Sequence, residues 1–379
     1  VTTLATLDEV FGIRTHQVRS YVERDAVDLR FQRALEQENH IVIYGSSKQG
    51  KTALWQKHLE SQDAVVVRCT PRMDGESVYQ SVLRQTGIQI KTIETTSKTI
   101  GGKVTAKVGF EASIPLLGKV AAETGGKTGD EHEMGLTWEF IGYDLGEAQS
   151  IGELLKKSAF AKFVVLENFH YLTDEAQRQL AYDLKTFHEL GIRFVILGIW
   201  QDANLLLFYN GDLQDRVTEI PVEPWKDEDF DRIIAEGSRE LEITIDGGIR
   251  NTLKASAYRN VGLLQELLRV LCEIAGVWET QPNLHAIADM SHAERAISQK
   301  LDDQTGQLLK VLQTLAGKSR TRNDTDSPLI LPYYLVQAIL KLPIDQIRNG
   351  ISKQQLQTYI QGVHYRRDGP VRETATSPT

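Results

Sequence analysis

Eight residues near the start of the chain carry the clearest chemistry. Gly45-Ser46-Ser47-Lys48-Gln49-Gly50-Lys51-Thr52 spells G-x-x-x-x-G-K-T. Glycine at both ends of such a run lets the backbone curl until successive N–H groups face one centre. A helix that starts at the lysine adds unpaired amides and a positive dipole end. The result is a cradle for phosphate. Lys51 would neutralise the β- and γ-phosphates of a nucleotide, and the Thr52 hydroxyl is an oxygen ligand of the kind Mg²⁺ takes. The expected cofactor-binding set is Gly45, Ser46, Ser47, Lys48, Gln49, Gly50, Lys51, Thr52 and Ala53. A second G-K-T, Gly126-Lys127-Thr128, has Ala121 where the first glycine should stand and no strand before it, so it reads as a loop tip.

Such a loop needs an acidic motif on a neighbouring strand. Phe163-Val164-Val165-Leu166 is an apolar run that ends in Glu167. At the carboxyl end of a strand, Glu167 would hold Mg²⁺ directly or through water. Many P-loop ATPases place a second acid next, to orient or deprotonate the attacking water. Here Asn168 stands in that place, and an amide accepts no proton at neutral pH. Three readings stay open: hydrolysis is slow, Glu167 shifts role, or His170 or another group helps. The plain reading of His170 is packing or a structural hydrogen bond.

The elements that must position these groups follow from periodicity. Residues 1–40 read as an N-terminal lead-in, with Val27, Phe31 and Leu35 at helical spacing. Residues 41–224 read as an α/β core. Its apolar strands are Ile41–Tyr44, Val65–Val67, Phe163–Leu166, Phe194–Gly198 and Ile220–Val222, and its helices are Thr52–Ser61, Val78–Gly87, Ile151–Ser158 and Asp174–Leu190. Strands alternating with helices predict a parallel sheet. Residues 92–130 read as an insertion, with seven glycines and an alternating stretch from Val104 to Ile114 that suits a half-buried strand or hairpin. It reads either as a loop for a partner, a neighbouring subunit or DNA, or as a segment disordered in isolation.

After Pro224 the pattern turns helical. Lys226–Glu240 and Ile249–Ala275 read as helices of a mostly helical second domain over residues 225–294. Residues 295–365 read as a helical, winged-helix-like region with a long helix over 295–317, and the polar stretch 366–379 as a disordered tail.

Composition narrows the function classes. The chain has 379 residues, 41% hydrophobic and 25% charged, which is ordinary globular composition for two or three domains. No apolar run approaches the roughly 20 residues needed to span a bilayer. The net charge of −8 argues against indiscriminate nucleic-acid binding. Two cysteines, Cys69 and Cys272, make no disulfide framework and read as buried thiols, which suits a cytoplasmic location. Trp200, Trp225 and Trp278 read as packing or interface anchors.

Taken together, these residues resemble the AAA+ and STAND superfamily of P-loop ATPases over about residues 20–275. They are similar in particular to bacterial AAA-family ATPases whose second motif reads like LE-D-FHYL. The matching segment is Leu166-Glu167-Asn168-Phe169-His170-Tyr171-Leu172. The resemblance implies a parallel sheet with helices on both faces, a helical lid and a small C-terminal winged-helix-like domain. Val22-Glu23-Arg24-Asp25 resembles the N-terminal signature that lies near the adenine. The strand ending at Gly198 resembles the sensor-1 strand, with Gln201 as the candidate polar residue. Arg216, in Asp212-Leu213-Gln214-Asp215-Arg216-Val217, resembles an arginine finger that reaches a neighbouring subunit's γ-phosphate; the alternative is a salt bridge to Asp212 or Asp215. Tyr258 to Leu264 resembles the lid segment touching the nucleotide, with Arg259 as the candidate sensor-2 arginine.

The expected function is an ATP- and Mg²⁺-binding ATPase acting as a nucleotide-dependent switch or assembly factor. Lys51, Glu167, Asn168 and Arg216 are its catalytic candidates, and Thr52 and Glu167 its metal ligands. The family analogy extends to mobile-element or antiviral-defence systems. The expected partners are ATP and either further copies of the chain or another protein, with no membrane. A second expectation is a DNA-acting ATPase that uses the C-terminal region and the basic stretch Lys318-Ser319-Arg320-Thr321-Arg322. A third is an ATP-binding interaction module with degenerate catalysis.

Overall fold

The computed structural model describes residues 4–14, 16–93, 109–115, 138–200, 205–318, 338–343, 346, 351, 352, 354–356, 358 and 359. The second G-K-T, Gln201, the basic stretch after Lys318 and the tail lie outside them. The chain divides into two compact units, Val1–Ala293 and Glu294–Thr379. The first holds everything that bears on the site.

Its centre is a five-stranded parallel sheet. The strands are β1 (His40–Tyr44), β2 (Ala64–Arg68), β6 (Phe163–Glu167), β7 (Phe194–Gly198) and β8 (Val217–Pro221), in the order β2-β6-β7-β1-β8. Strands covered on both faces read as continuous apolar runs, and β1, β6 and β7 are buried at every position. Side chains alternate between the faces. Ile41 and Ile43 pack with Phe31, Leu54 and Trp55 from α2 (Arg30–Leu35) and α3 (Lys51–His58). Val42 and Tyr44 pack with α4 (Gly75–Gln85), α5 (Ala148–Lys157) and α6 (Asp174–Glu189). Two of these helices start with a side-chain cap: Asp74 accepts from the Ser77 amide at α4 and Thr173 from the Ala176 amide at α6.

One detail departs from the sequence reading. β6, which ends in Glu167, does not neighbour β1; β7 lies between them and pairs with both. β6 pairs instead with β2 on its other side. The acid and the phosphate loop still share the carboxyl edge of the sheet, where all five strands end together.

The insertion is wider than its glycine content suggested. β3 (Gln89–Ile93), β4 (Gly109–Pro115) and β5 (Trp138–Tyr143) form a separate antiparallel sheet, in which β4 contains the end of the alternating stretch.

After β8 come α8 (Asp227–Leu241), α9 (Gly247–Ser256) and α10 (Val261–Ile274), with the paired strands β9 (Ile243–Ile245) and β10 (His285–Ile287). The periodic stretch from Ile249 to Ala275 is two helices. Tyr258 and Arg259 take positive φ angles of 48° and 59°, which ends α9, and Asn260 then caps α10 by accepting from the Leu263 amide. The lead-in does not stand apart either. The Ala5 amide donates to Thr280 Oγ1, the Leu7 amide donates to Trp278 O, and the Phe11 ring lies where a side chain at Gly237 would be. It thus docks on the helical region before crossing to the sheet.

Candidate functional site

The phosphate loop leaves β1 at Gly45 with a φ of +144°. A Cβ there would lie 2.8 Å from Val222 and 2.9 Å from Glu223 Oε2, so only glycine fits. The loop turns into α3 at Gly50, φ +86°, and bends once more at Lys48, φ +62°. Among the described residues, none of the amides from Ser47 to Ala53 donates to a protein acceptor. Lys51 Nζ lies back on the loop and donates to Gly45 O at 2.8 Å and Ser46 O at 2.6 Å. Burial lowers its pKa to about 8, although the Glu223 charge works to raise it.

This loop forms one wall of a cavity of about 450 Å³. The ends of β6 and β7 form a second wall. Glu167 accepts from Trp55 Nε1 at 3.3 Å and pairs with Arg68 at 3.3 Å. Asn168 has a φ of +57°, a conformation that Asn and Asp tolerate better than other side-chain-bearing residues. His170 also faces the cavity; its Nδ1 is buried without a hydrogen-bond partner. Burial foremost, then the Lys51 charge, lowers its pKa below the usual imidazole value.

The remaining walls are the stretch from Gly12 to Arg24, Trp225, and the start of α10. Arg24 lies over the Trp225 ring at 3.6 Å and donates to Val222 O at 2.8 Å. Arg24 Nε and Trp225 Nε1 are buried without partners. The segment is tied to α3 by Asp28, which accepts from Tyr21 Oη at 2.5 Å and the Arg24 amide at 2.7 Å, and meets His58 Nε2 at 2.8 Å. α10 meets the loop backbone directly. The Gly262 amide donates to Lys48 O at 3.0 Å, and a Cβ at Gly262 would lie 2.5 Å from Lys48 Cβ.

The cavity lining carries the cations Arg14, Arg24, Lys48, Lys51 and Arg68 against one carboxylate, Glu167. In a chain of net charge −8 this is a local reversal, and it suits a polyanionic ligand. Thr52 and Glu167 both face the cavity and offer the oxygen ligands that Mg²⁺ takes alongside phosphate and water. The residues present therefore fit a nucleotide with its cation.

Of the candidates from sequence, Ser47 to Ala53, Glu167 and Asn168 come together around the cavity. Gly45 and Ser46 lie outside its lining, and the Ser46 amide is turned to Glu223. Arg259 does not reach the wall. Arg216 immediately precedes β8, at the sheet edge opposite the loop, so it cannot serve its own cavity. Its Nη1 donates to Asp212 O at 2.6 Å, while the Asp212 carboxylate pairs with Lys185. Neither expected salt bridge of Arg216 is formed among the described residues. Trp225 is a site wall as well as a packing residue. Sequence reasoning missed Glu223, Arg68 and Gln265; the first two each stand alone between apolar residues, Gln265 sits beside Glu266 within a helix, and no spacing marks any of them. Cys69 and Cys272 are buried, and burial pushes each thiol up to about 12.

No family model matches the chain, and no curated protein matches it at a significant level. Solved structures do. A Walker-type ATPase from Pyrococcus abyssi is similar over 93% of this chain and 92% of its own, at 14% identity and a TM-score of 0.50. The Orc1 protein of Aeropyrum pernix, solved in complex with DNA, is similar over 96% and 82%, at 14% identity and a TM-score of 0.47. A RuvB variant from Thermotoga maritima is similar over 90% and 83%, at 10% identity and a TM-score of 0.41. Of these three, the Pyrococcus likeness alone is strong enough to bear on fold. With the strand order and the loop geometry, it shows the fold of the AAA+ P-loop NTPases.

Proposed function

We propose that the chain binds ATP with Mg²⁺ in this cavity and acts as a slowly hydrolysing, nucleotide-dependent switch or assembly factor of AAA+ type. The observation that carries the reading is the run of undonated amides from Ser47 to Ala53, beside Lys51, in a cationic cavity. Thr52 and Glu167 would hold the cation, which when bound supplies charge neutralisation at the phosphates. Lys51 exchanges the Gly45 and Ser46 carbonyls for phosphate oxygens. Arg24 and Trp225 supply a flat, buried wall with free N–H donors for the base or ribose. Asn168 orients a water by hydrogen bonding but takes no proton from it, which is why turnover is slow. Arg216 acts on the cavity of a neighbouring copy, so full activity needs assembly. By analogy with the family it resembles, such a switch would serve a mobile-element or antiviral-defence system.

The test measures ATP turnover and particle mass together, with and without ATP. If ATP drives assembly, and Arg216→Ala abolishes turnover but not binding, the reading stands. If the wild type binds no ATP, or Lys51→Ala binds it equally well, the reading fails.

A second reading, an ATP-binding interaction module without turnover, is favoured by Asn168 alone. It predicts background hydrolysis in the wild type and recovery in Asn168→Asp.

A further inference from the structure

A side-chain relay runs from the phosphate loop to the start of α10, and its polarity is fixed at both ends. The Ser46 amide donates to Glu223 Oε2 at 2.6 Å, and Gln49 Nε2 donates to Glu223 Oε1 at 2.8 Å. On its far side, Gln49 Oε1 accepts from the Val261 amide at 3.4 Å. A carboxylate only accepts and a backbone N–H only donates. The buried Gln49 amide therefore has one workable orientation, carbonyl towards α10 and NH₂ towards Glu223.

The contacts on either side run in parallel. Asn260 Nδ2 donates to Ser47 O at 3.4 Å, and the Gly262 amide donates to Lys48 O at 3.0 Å. Three consecutive residues at the start of α10 are thus bonded to three consecutive residues of the loop. At the other end, glycine at position 45 is what lets the Glu223 carboxylate lie against the loop's first turn.

We propose that Glu223 is the positioning residue of the phosphate loop, and that Glu223 and Gln49 together make the loop and the first turn of α10 move as one. The inference takes its purpose from the nucleotide reading above, but its test does not depend on that reading. Phosphate would draw the amides from Ser47 onwards towards itself. Ser46 and Gln49 cannot follow without pulling on Glu223, and Lys48 and Gln49 cannot follow without pulling on Gly262 and Val261. Occupancy of the cradle is therefore felt by the helix.

The polarity argument makes a swap experiment decisive. In Glu223→Gln one acceptor becomes a donor. Either the Ser46 N–H or the Gln49 NH₂ then faces another donor, and turning Gln49 round moves the conflict to Val261. Gln49→Glu alone sets two carboxylates face to face. The double variant Glu223→Gln with Gln49→Glu gives every donor an acceptor again, at unchanged net charge.

The measurement is hydrogen exchange of the Val261 and Gly262 amides in the nucleotide-free protein, with ADP titrations of the same four proteins. Each single variant is expected to quicken exchange and weaken ADP binding by about tenfold, and the double to return within about threefold of wild type. Unchanged singles, or a double no better than the worse single, would overturn the relay. If the singles fail to fold, the double decides: a folded double with protected amides supports the relay, and an unfolded one overturns it. If none of the four binds ADP but exchange follows the cycle, the relay stands and the nucleotide reading falls.

Discussion

Gly262→Ala tests the closeness of α10 to the loop by the sign of its effect. Helix propensity alone would stabilise the variant, by up to about 1 kcal/mol. The contact predicts the opposite. The new Cβ would lie 2.5 Å from Lys48 Cβ and 2.7 Å from Lys48 O, so a separation of about 3.5 Å requires a shift of about 1 Å. Overpacking of that kind costs about 1–3 kcal/mol. Losing the bond from the Gly262 amide to Lys48 O costs about 1 kcal/mol more. The expected net loss is about 1–3 kcal/mol, read as a lower urea midpoint at unchanged slope. Because the displaced partner is the loop itself, ADP affinity should fall about tenfold in the same protein. A raised midpoint with unaltered ADP affinity would refute the reasoning, since it would mean that the backbones do not need to meet.

Three further outcomes follow. Burial holds Lys51 near a pKa of 8 in the free protein, and bound phosphate would push it back up; affinity for ADP, titrated with a chelator present, is thus full below about pH 7 and about tenfold weaker at pH 9, while Lys51→Ala binds weakly with no such slope. Asn168→Ala should cost about 1 kcal/mol by denaturant melt, because alanine does not tolerate a φ of +57°, whereas Asn168→Asp and Asn168→Gly should stay within about 0.5 kcal/mol. Cys69 and Cys272 should resist a disulfide reagent at pH 8 until denaturant is added, because burial holds both thiols near 12.

The phosphate loop is legible in the sequence because every part of it is local. Strand, glycines, lysine and helix follow one another within about twenty residues, and each obeys its own backbone rule. Glu167 is legible for the same reason, as an acid closing an apolar run. That β7 lies between the two strands is not legible, because strand order depends on packing across the whole sheet and leaves no mark on any one strand. The break between α9 and α10 was hidden by apolar spacing that continues through Tyr258 and Arg259, although their backbone does not continue as helix. Glu223 was invisible for a further reason. Its role comes from meeting Gly45 and Gln49 across a gap of well over a hundred residues, and a lone acid after a short strand looks like any other.

The order of strands also bears on how the chain is made. β1 lies inside the sheet, where Ile41 pairs with Val195 and His40 with Val217. Both partners are translated well over a hundred residues later, so the strand carrying the phosphate loop stays unpaired while all of that chain is made. Pairings between such distant segments form slowly, and an unpaired apolar strand is a hazard while it waits. β6 and β7, close in sequence and side by side in the sheet, can associate first. β1 can pair only once β7 and β8 have been made, so the sheet edge that carries the ligand cradle is completed well after the loop residues themselves are translated.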